Sequence, residues 1–132
     1  MLRSVLAVAA GCVSAILPLI LVMMLLGIFV PDLYPRIGSP INVIMVSIVV
    51  FIWLAFAGVG ALVTVVACHG SRIKHVHALS LVVLFIGLVS LAANIDKQPM
   101  WFSFTQVFAL IFGVYIGGHL ANKRFPQTAP RT

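Results

Sequence analysis

The sequence predicts an all-α fold, an integral membrane four-helix bundle with both termini on the cytoplasmic side (N-in/C-in). Three observations predict it. Of 132 residues, 63% are hydrophobic and only 8% charged, where a soluble domain carries about a quarter charged residues. Four apolar runs are each long enough to cross a hydrocarbon core of about 30 Å at about 1.5 Å per residue. The basic residues gather on alternate connections between those runs. A water-soluble fold of this size has too little interior to hide so much apolar surface, so lipid is the natural solvent. The runs place helices at about 4–30, 41–67, 76–95 and 100–120 within one domain, 1–121, followed by a basic tail, 122–132. A spanning strand needs only about ten residues, so runs of this length are helices.

The first helix opens on Met1-Leu2-Arg3, which resembles the start of a signal peptide. The apolar run continues well past a normal signal core, and no small-x-small cleavage site precedes Pro31, so a retained helix is expected. Ala7, Gly11 and Ala15 recur every four residues and form a small-residue stripe. Pro18 removes the hydrogen bond to the carbonyl of Ser14 and predicts a kink. The freed carbonyl is met by a neighbouring helix, or it holds water or an ion as in a transporter. In the following connection, Ser39-Pro40 reads as an N-cap with proline at the first helical position. Tyr34 and Trp101 read as aromatic anchors at the outer interface.

The second helix carries the cluster Ala57-Gly58-Val59-Gly60-Ala61, suited to close packing, and Trp53 near its centre. Tryptophan favours interfaces, so one at mid-helix is expected to pack in the bundle or in a dimer contact. The stretch CHGSRIKHVH, Cys68 to His77, reads as the turn before the third helix. Ser80, Gly87, Ser90 and Asn94 share one side of that helix and are assigned to the bundle interior. After the turn at Asp96-Lys97-Gln98-Pro99, the fourth helix repeats Ala109, Gly113, Gly117 and Ala121 every four residues, with a GxxxG at its centre. Small residues at this spacing let backbones approach closely where lipid removes the hydrophobic drive between helices. Gln106 lies on the same side and needs a polar partner. Trp101, Phe104, Phe108, Phe112, Tyr115 and His119 form an opposite stripe about 80° wide at about 100° per residue.

Charge sets the orientation. Of the eight basic residues, Arg3, Arg72, Lys74, Lys123, Arg124 and Arg131 fall on one side, and Arg36 and Lys97 on the other. The positive-inside rule puts the first group, both termini and the histidine-rich turn in the cytoplasm. Both acidic residues, Asp32 and Asp96, fall outside. A net charge of +6 would suggest nucleic acid in a soluble domain. Here it reports membrane orientation and contact with anionic lipid, and no nucleic acid is expected. Cys12 and Cys68 form neither a C-x-x-C motif nor a disulfide framework, and Cys68 faces a reducing compartment.

Catalytic and transport chemistry is sparse. No Asp, Glu, Lys or Arg lies deep in a run, which disfavours a proton-coupled pump. Small multidrug exporters have a similar size but depend on a glutamate in the first helix, and this one has none. No nucleophile has a histidine–carboxylate pair beside it, so the chain is read as non-enzymatic. Cys68, His69, His75, His77 and His119 are the metal candidates, with ligand types that suit zinc or copper. Their spacing is poor, because His75 and His77 fall on nearly opposite sides of a helix and no carboxylate stands behind them. Haem is disfavoured because these histidines lie at the membrane edge, so no cofactor is expected.

Gln98-Pro99-Met100-Trp101-Phe102 and Gly117-Gly118-His119-Leu120-Ala121 resemble segments of small four-helix inner-membrane proteins of proteobacteria. Those proteins carry proline–x–tryptophan before the last helix and Gly-Gly-x-Leu-Ala near its end. The resemblance covers about the last quarter of the chain. It implies a bacterial inner membrane and a four-helix fold, and carries no catalytic residue over. The favoured expectation is a structural or accessory multi-pass protein acting through helix–helix contacts at Ala7, Gly11, Ala15, Ala109, Gly113, Gly117 and Ala121. Its partners would be the lipid bilayer and itself or another membrane protein. The alternatives are a small dimeric transporter or lipid-handling protein working around Ser14, Pro18 and Gln106 with a polar cavity at mid-membrane, and a metal or haem protein.

The topology is directly testable. A fluorescent protein fused after Thr132 will fold and fluoresce in intact cells, and alkaline phosphatase will be active when fused after Lys97 but inactive after Thr132. The reverse pattern would contradict the charge-based orientation.

Overall fold

The computed structural model describes residues 2–30, 35, 37, 38, 40–68 and 72–124, with residues 2 and 3 described as backbone only. Expectations for Asp32, Tyr34, Arg36, Ser39, His69 and positions 125–132 lie outside the described residues. The fold is all-α, with helices α1 (Leu2–Phe29), α2 (Val43–Ala67), α3 (Arg72–Asn94) and α4 (Met100–Arg124). All four are long and apolar enough to cross a membrane.

Two boundaries differ from the sequence expectation for clear physical reasons. The second helix begins at Val43, and its cap is Asn42, whose side chain accepts a hydrogen bond from the Met45 amide at 3.3 Å. Asparagine is a strong cap with Met45 three residues on, so Pro40 stays outside the helix. The third helix begins at Arg72, a turn before the apolar run at 76. Its buried positions Val76, Leu79, Ser80, Val83 and Gly87 keep a three–four spacing, and the backbone simply extends that helix into its polar entry. Likewise α4 runs on to Arg124, because Ala121 is still fully buried in the core.

Neighbours around the bundle run α1, α2, α4, α3, and among the described residues α1 and α4 do not approach each other. The most extensive contact joins α2 to α4, which run parallel. It is made backbone to backbone. A Cβ added at Gly117 would meet the Gly58 carbonyl oxygen and lie 2.6 Å from the Gly58 Cα. One added at Gly113 would meet the Leu54 carbonyl and lie 2.8 Å from the Ala57 Cβ. The second contact joins α1 to α2, antiparallel, and is also glycine to glycine. A Cβ at Gly60 would lie 2.6 Å from both the Gly11 carbonyl and the Ala15 Cβ, and a Cβ at Gly11 would collide with the Thr64 hydroxyl. That hydroxyl donates to the Gly60 carbonyl at 2.9 Å, so this buried polar group is satisfied within its own helix.

The sequence-predicted small stripes are therefore covered from within. Ala7, Ala15, Ala109 and Ala121 are buried, as are Gly11, Gly113 and Gly117, and their glycines face α2 of the same chain. Trp53 packs inside the bundle, between one core cluster around Leu79, Val83 and Val114 and another around Val49, Leu19 and Phe102. In α3, Ser80 and Gly87 are buried, while Ser90 and Asn94 are half-buried. The aromatic row of α4 faces outward; Phe108 and Phe112 are 57% and 59% exposed.

These contacts rank the glycines. Gly117→Ala will cost about 2–3 kcal/mol in folding stability, because backbone rather than a flexible side chain must move. Gly58→Ala, whose Cβ would sit 3.4 Å from the Gly113 carbonyl, will cost less than about 1 kcal/mol. Gly27→Ala meets nothing within 4 Å and will be neutral or stabilising by up to about 1 kcal/mol. Unfolding in detergent micelles measures all three, and a reversed order of Gly117 and Gly58 would contradict this packing.

Candidate functional site

The end of the bundle that holds the C-terminus of α2 and the N-terminus of α3 concentrates the described basic residues Arg72, Lys74, Lys123 and Arg124. Because α3 is already helical there, it separates the histidines that the sequence places together. His75 is half-buried and, with Lys74, lines a groove between α1 and α3. His77 faces the other way. It lines a cavity between α3 and α4 with Arg72, Tyr115, His119 and Asn122. Two residues along a helix turn through about 200°, which is the reason for the split.

The His77 ring is fixed on two sides. Its Nδ1 lies 2.8 Å from the Ile73 carbonyl, which fixes a proton on that nitrogen. Its edge meets the Tyr115 ring at a centroid distance of 5.9 Å and an interplanar angle of 77°. His119 shares this cavity, whose volume is about 210 Å³. Of the four metal candidates among the described residues, then, only His77 and His119 share this cavity. Among the described residues, no three His, Cys, Asp or Glu side chains are grouped so as to hold an ion.

Cys68 caps α2 in extended conformation, with its amide on the Thr64 carbonyl at 3.0 Å. It is buried, and its thiol donates to the Val65 carbonyl at 3.3 Å. Burial pushes this thiol above the ordinary cysteine range, and the nearby Arg72 guanidinium opposes that shift without cancelling it. Arg72 has a polar problem of its own. Its Nη1 is buried with no hydrogen-bond partner among the described residues.

The residues considered for transport are placed differently. The Ser14 hydroxyl donates to the Gly11 carbonyl at 3.0 Å, and Gln106 is buried on α4. A cavity of about 230 Å³ lies at mid-bundle beside α1 and α3, lined by residues that include Leu19, Met23, Trp53, Val83 and Ser90. Neither Ser14, Pro18 nor Gln106 lines it. It is an apolar space, not a polar one, and a separate groove at Lys74 lies nearer the basic end, lined by Val8, Cys12 and Val82. The Trp53 Nε1 is buried without a hydrogen-bond partner among the described residues.

Arg72, Tyr115 and Asn122 were not among the residues singled out as a site. On α4 a signal was present, since Tyr115, His119 and Asn122 follow the spacing i, i+4, i+7 of one helix face. On α3 it was hidden, because the start of the helix read as a turn. Comparisons with protein-family models, with curated proteins and with solved structures return no match for this chain.

Cys68 offers a chemical check on this geometry. In a Cys12→Ala background it will react with a maleimide at least about tenfold more slowly than a cysteine placed at the exposed position 123, because only an exposed thiolate attacks. Its rate will rise with pH to a midpoint above that of the exposed cysteine. Arg72→Gln will move that midpoint further upward, since it removes the one charge that favours the thiolate. A downward move would contradict the placement of Arg72 beside Cys68.

Proposed function

We propose that this chain is a non-enzymatic, multi-pass protein of the bacterial inner membrane, with both termini in the cytoplasm. It acts as a structural or accessory protein through contacts made in the plane of the bilayer. One observation carries this reading and also relocates the contacts. The small-residue stripes of α1 and α4 are used inside the chain against α2, so they are closed to an outside partner. The outward row of Trp101, Phe104, Phe108 and Phe112 is left as the face for a second copy or another membrane protein. Aromatic side chains give large contact area at low conformational cost.

The apolar space beside α1 and α3 favours lipid handling as a second reading. An apolar groove at Val8 and Val82 and an apolar cavity at Met23 and Ser90 both lie on this side, surfaces that acyl chains can cover. Lys74 stands at the basic end of the groove, where a phosphate headgroup would lie.

Purification from native membranes in mild detergent separates the two. On the first reading, Phe104→Ala/Phe108→Ala/Phe112→Ala removes a stoichiometric partner or the dimer and leaves the melting temperature within about 3 °C, as outward residues contribute little to the core. On the second, Ile86→Trp, which fills the cavity mouth, lowers the amount of retained lipid. A monomer with no partner and no retained lipid, unchanged by either variant, would sink both.

A further inference from the structure

We propose that the cavity at mid-bundle holds one acyl chain of a membrane lipid, which enters between α1 and α3 and lies against Trp53. This rests on the lipid-handling reading and deepens it, because it names the part of the lipid that is held and the place that holds it. The cavity measures about 230 Å³. An apolar cavity of about 150 Å³ already accepts benzene, so this one has room for a longer run of carbon atoms. It exists because small residues face it from three helices: Ala15 on α1, Ala57 on α2 and Gly87 on α3. The helices cannot close in to fill it. Both α1 and α4 already meet α2 backbone to backbone, at Gly11 with Gly60 and at Gly117 with Gly58. A space that cannot collapse is the kind that stays open or takes a ligand.

The lining selects the occupant. Ser90 brings its one hydroxyl. Trp53 borders the space with ring carbons, because its Nε1 is sealed inside the protein. A buried water needs two to four polar partners, so water gains little here, and an ion or polar solute gains less. Left empty, the walls forfeit the dispersion contacts that a close-packed interior supplies. The way in is apolar as well, since Ile20 of α1 and Ile86 of α3 are exposed and line the same space. The occupant must therefore be apolar and thin enough to pass between two helices. It must also be abundant at the depth of Trp53, two residues from the middle of α2 (Val43–Ala67). Around four helices that are each long and apolar enough to cross a membrane, lipid acyl chains meet all three conditions. The groove beside Lys74 is a separate surface and is not part of this site.

The test reads Trp53 directly. The full chain carries Trp101→Phe, which leaves Trp53 as the sole indole of the two in the sequence. It is placed in nanodiscs of phosphatidylcholine whose chains are either unmodified or brominated in their distal half, since bromine quenches an indole on contact. Brominated chains are expected to lower Trp53 emission at least about twofold, as contact with the ring requires. Ser90→Phe fills the cavity and Ile86→Phe narrows its mouth. Each is expected to bring emission back to within about a fifth of its unbrominated value, because the contact is lost. Ile86 is exposed, so its variant preserves the test if Ser90→Phe fails to fold. Val82→Phe, in the groove at Lys74, is the control and leaves the quenching unchanged. Equal emission in the two bilayers overturns the proposal, as does quenching that neither filling variant relieves or that Val82→Phe relieves equally. Retained lipid is counted in parallel by native mass spectrometry. A protein that retains lipid while Trp53 stays unquenched contradicts the acyl chain in the cavity and leaves lipid handling in place at the groove. A protein with neither contradicts both.

Discussion

The bundle depends on one constraint: α2 is gripped on two opposite sides by another helix's backbone. Gly58 meets Gly117 of α4, and Gly60 meets Gly11 of α1. Two residues apart on a helix means about 200° of rotation, so adjacent glycines in sequence serve opposite neighbours. Between lipid-solvated helices there is no hydrophobic drive to associate, and stability comes from dispersion and weak Cα–H···O contacts at short range. Each such contact is small, about 0.5–1 kcal/mol, and many of them accumulate only where no side chain holds the backbones apart. Thr64 illustrates the second requirement. Its hydroxyl sits in the α1–α2 contact, and it folds back onto the Gly60 carbonyl instead of asking the neighbour for a partner.

This geometry explains what is left open. With α1 and α4 both held by α2, they do not reach each other, and α3 leans mainly on α4 through Val76 against Gly118 and Gly87 against Val107. The α1–α3 side is the loosely filled one, and the apolar cavity and groove lie there. The outward aromatic row follows from the same arrangement, because the face of α4 opposite Gly113 and Gly117 has no helix to cover it. At the basic end, α3 presents Lys74 and His75 to one side and Arg72 and His77 to the other. An apolar groove and a more polar cavity thus flank one helix.

Much of the fold was legible in the residues. The four apolar runs gave the helices, and the four-residue spacing of Ala109, Gly113, Gly117 and Ala121 marked a packing face. The partner of that face was not legible, since Gly58 and Gly60 serve two different helices and form no spaced motif of their own. Nor was the start of α3, because hydropathy reports where a hydrocarbon solvent would begin, whereas the helix begins a turn earlier among Arg72, Lys74 and His75. That missed turn decides the site. The opposite facing of His75 and His77 was legible from their two-residue spacing; the grouping of His77 with Arg72, Tyr115, His119 and Asn122 was not, because it needs Arg72 inside the helix.

The most direct measurement of the central constraint is magnetic resonance on glycine-labelled protein in nanodiscs. With only ten glycines in the chain, each α-proton pair can be resolved and assigned. The account predicts cross-relaxation between the α-protons of Gly58 and Gly117, and between those of Gly11 and Gly60, under conditions where the protein is folded. A well-dispersed, folded spectrum that lacks both pairs would contradict it.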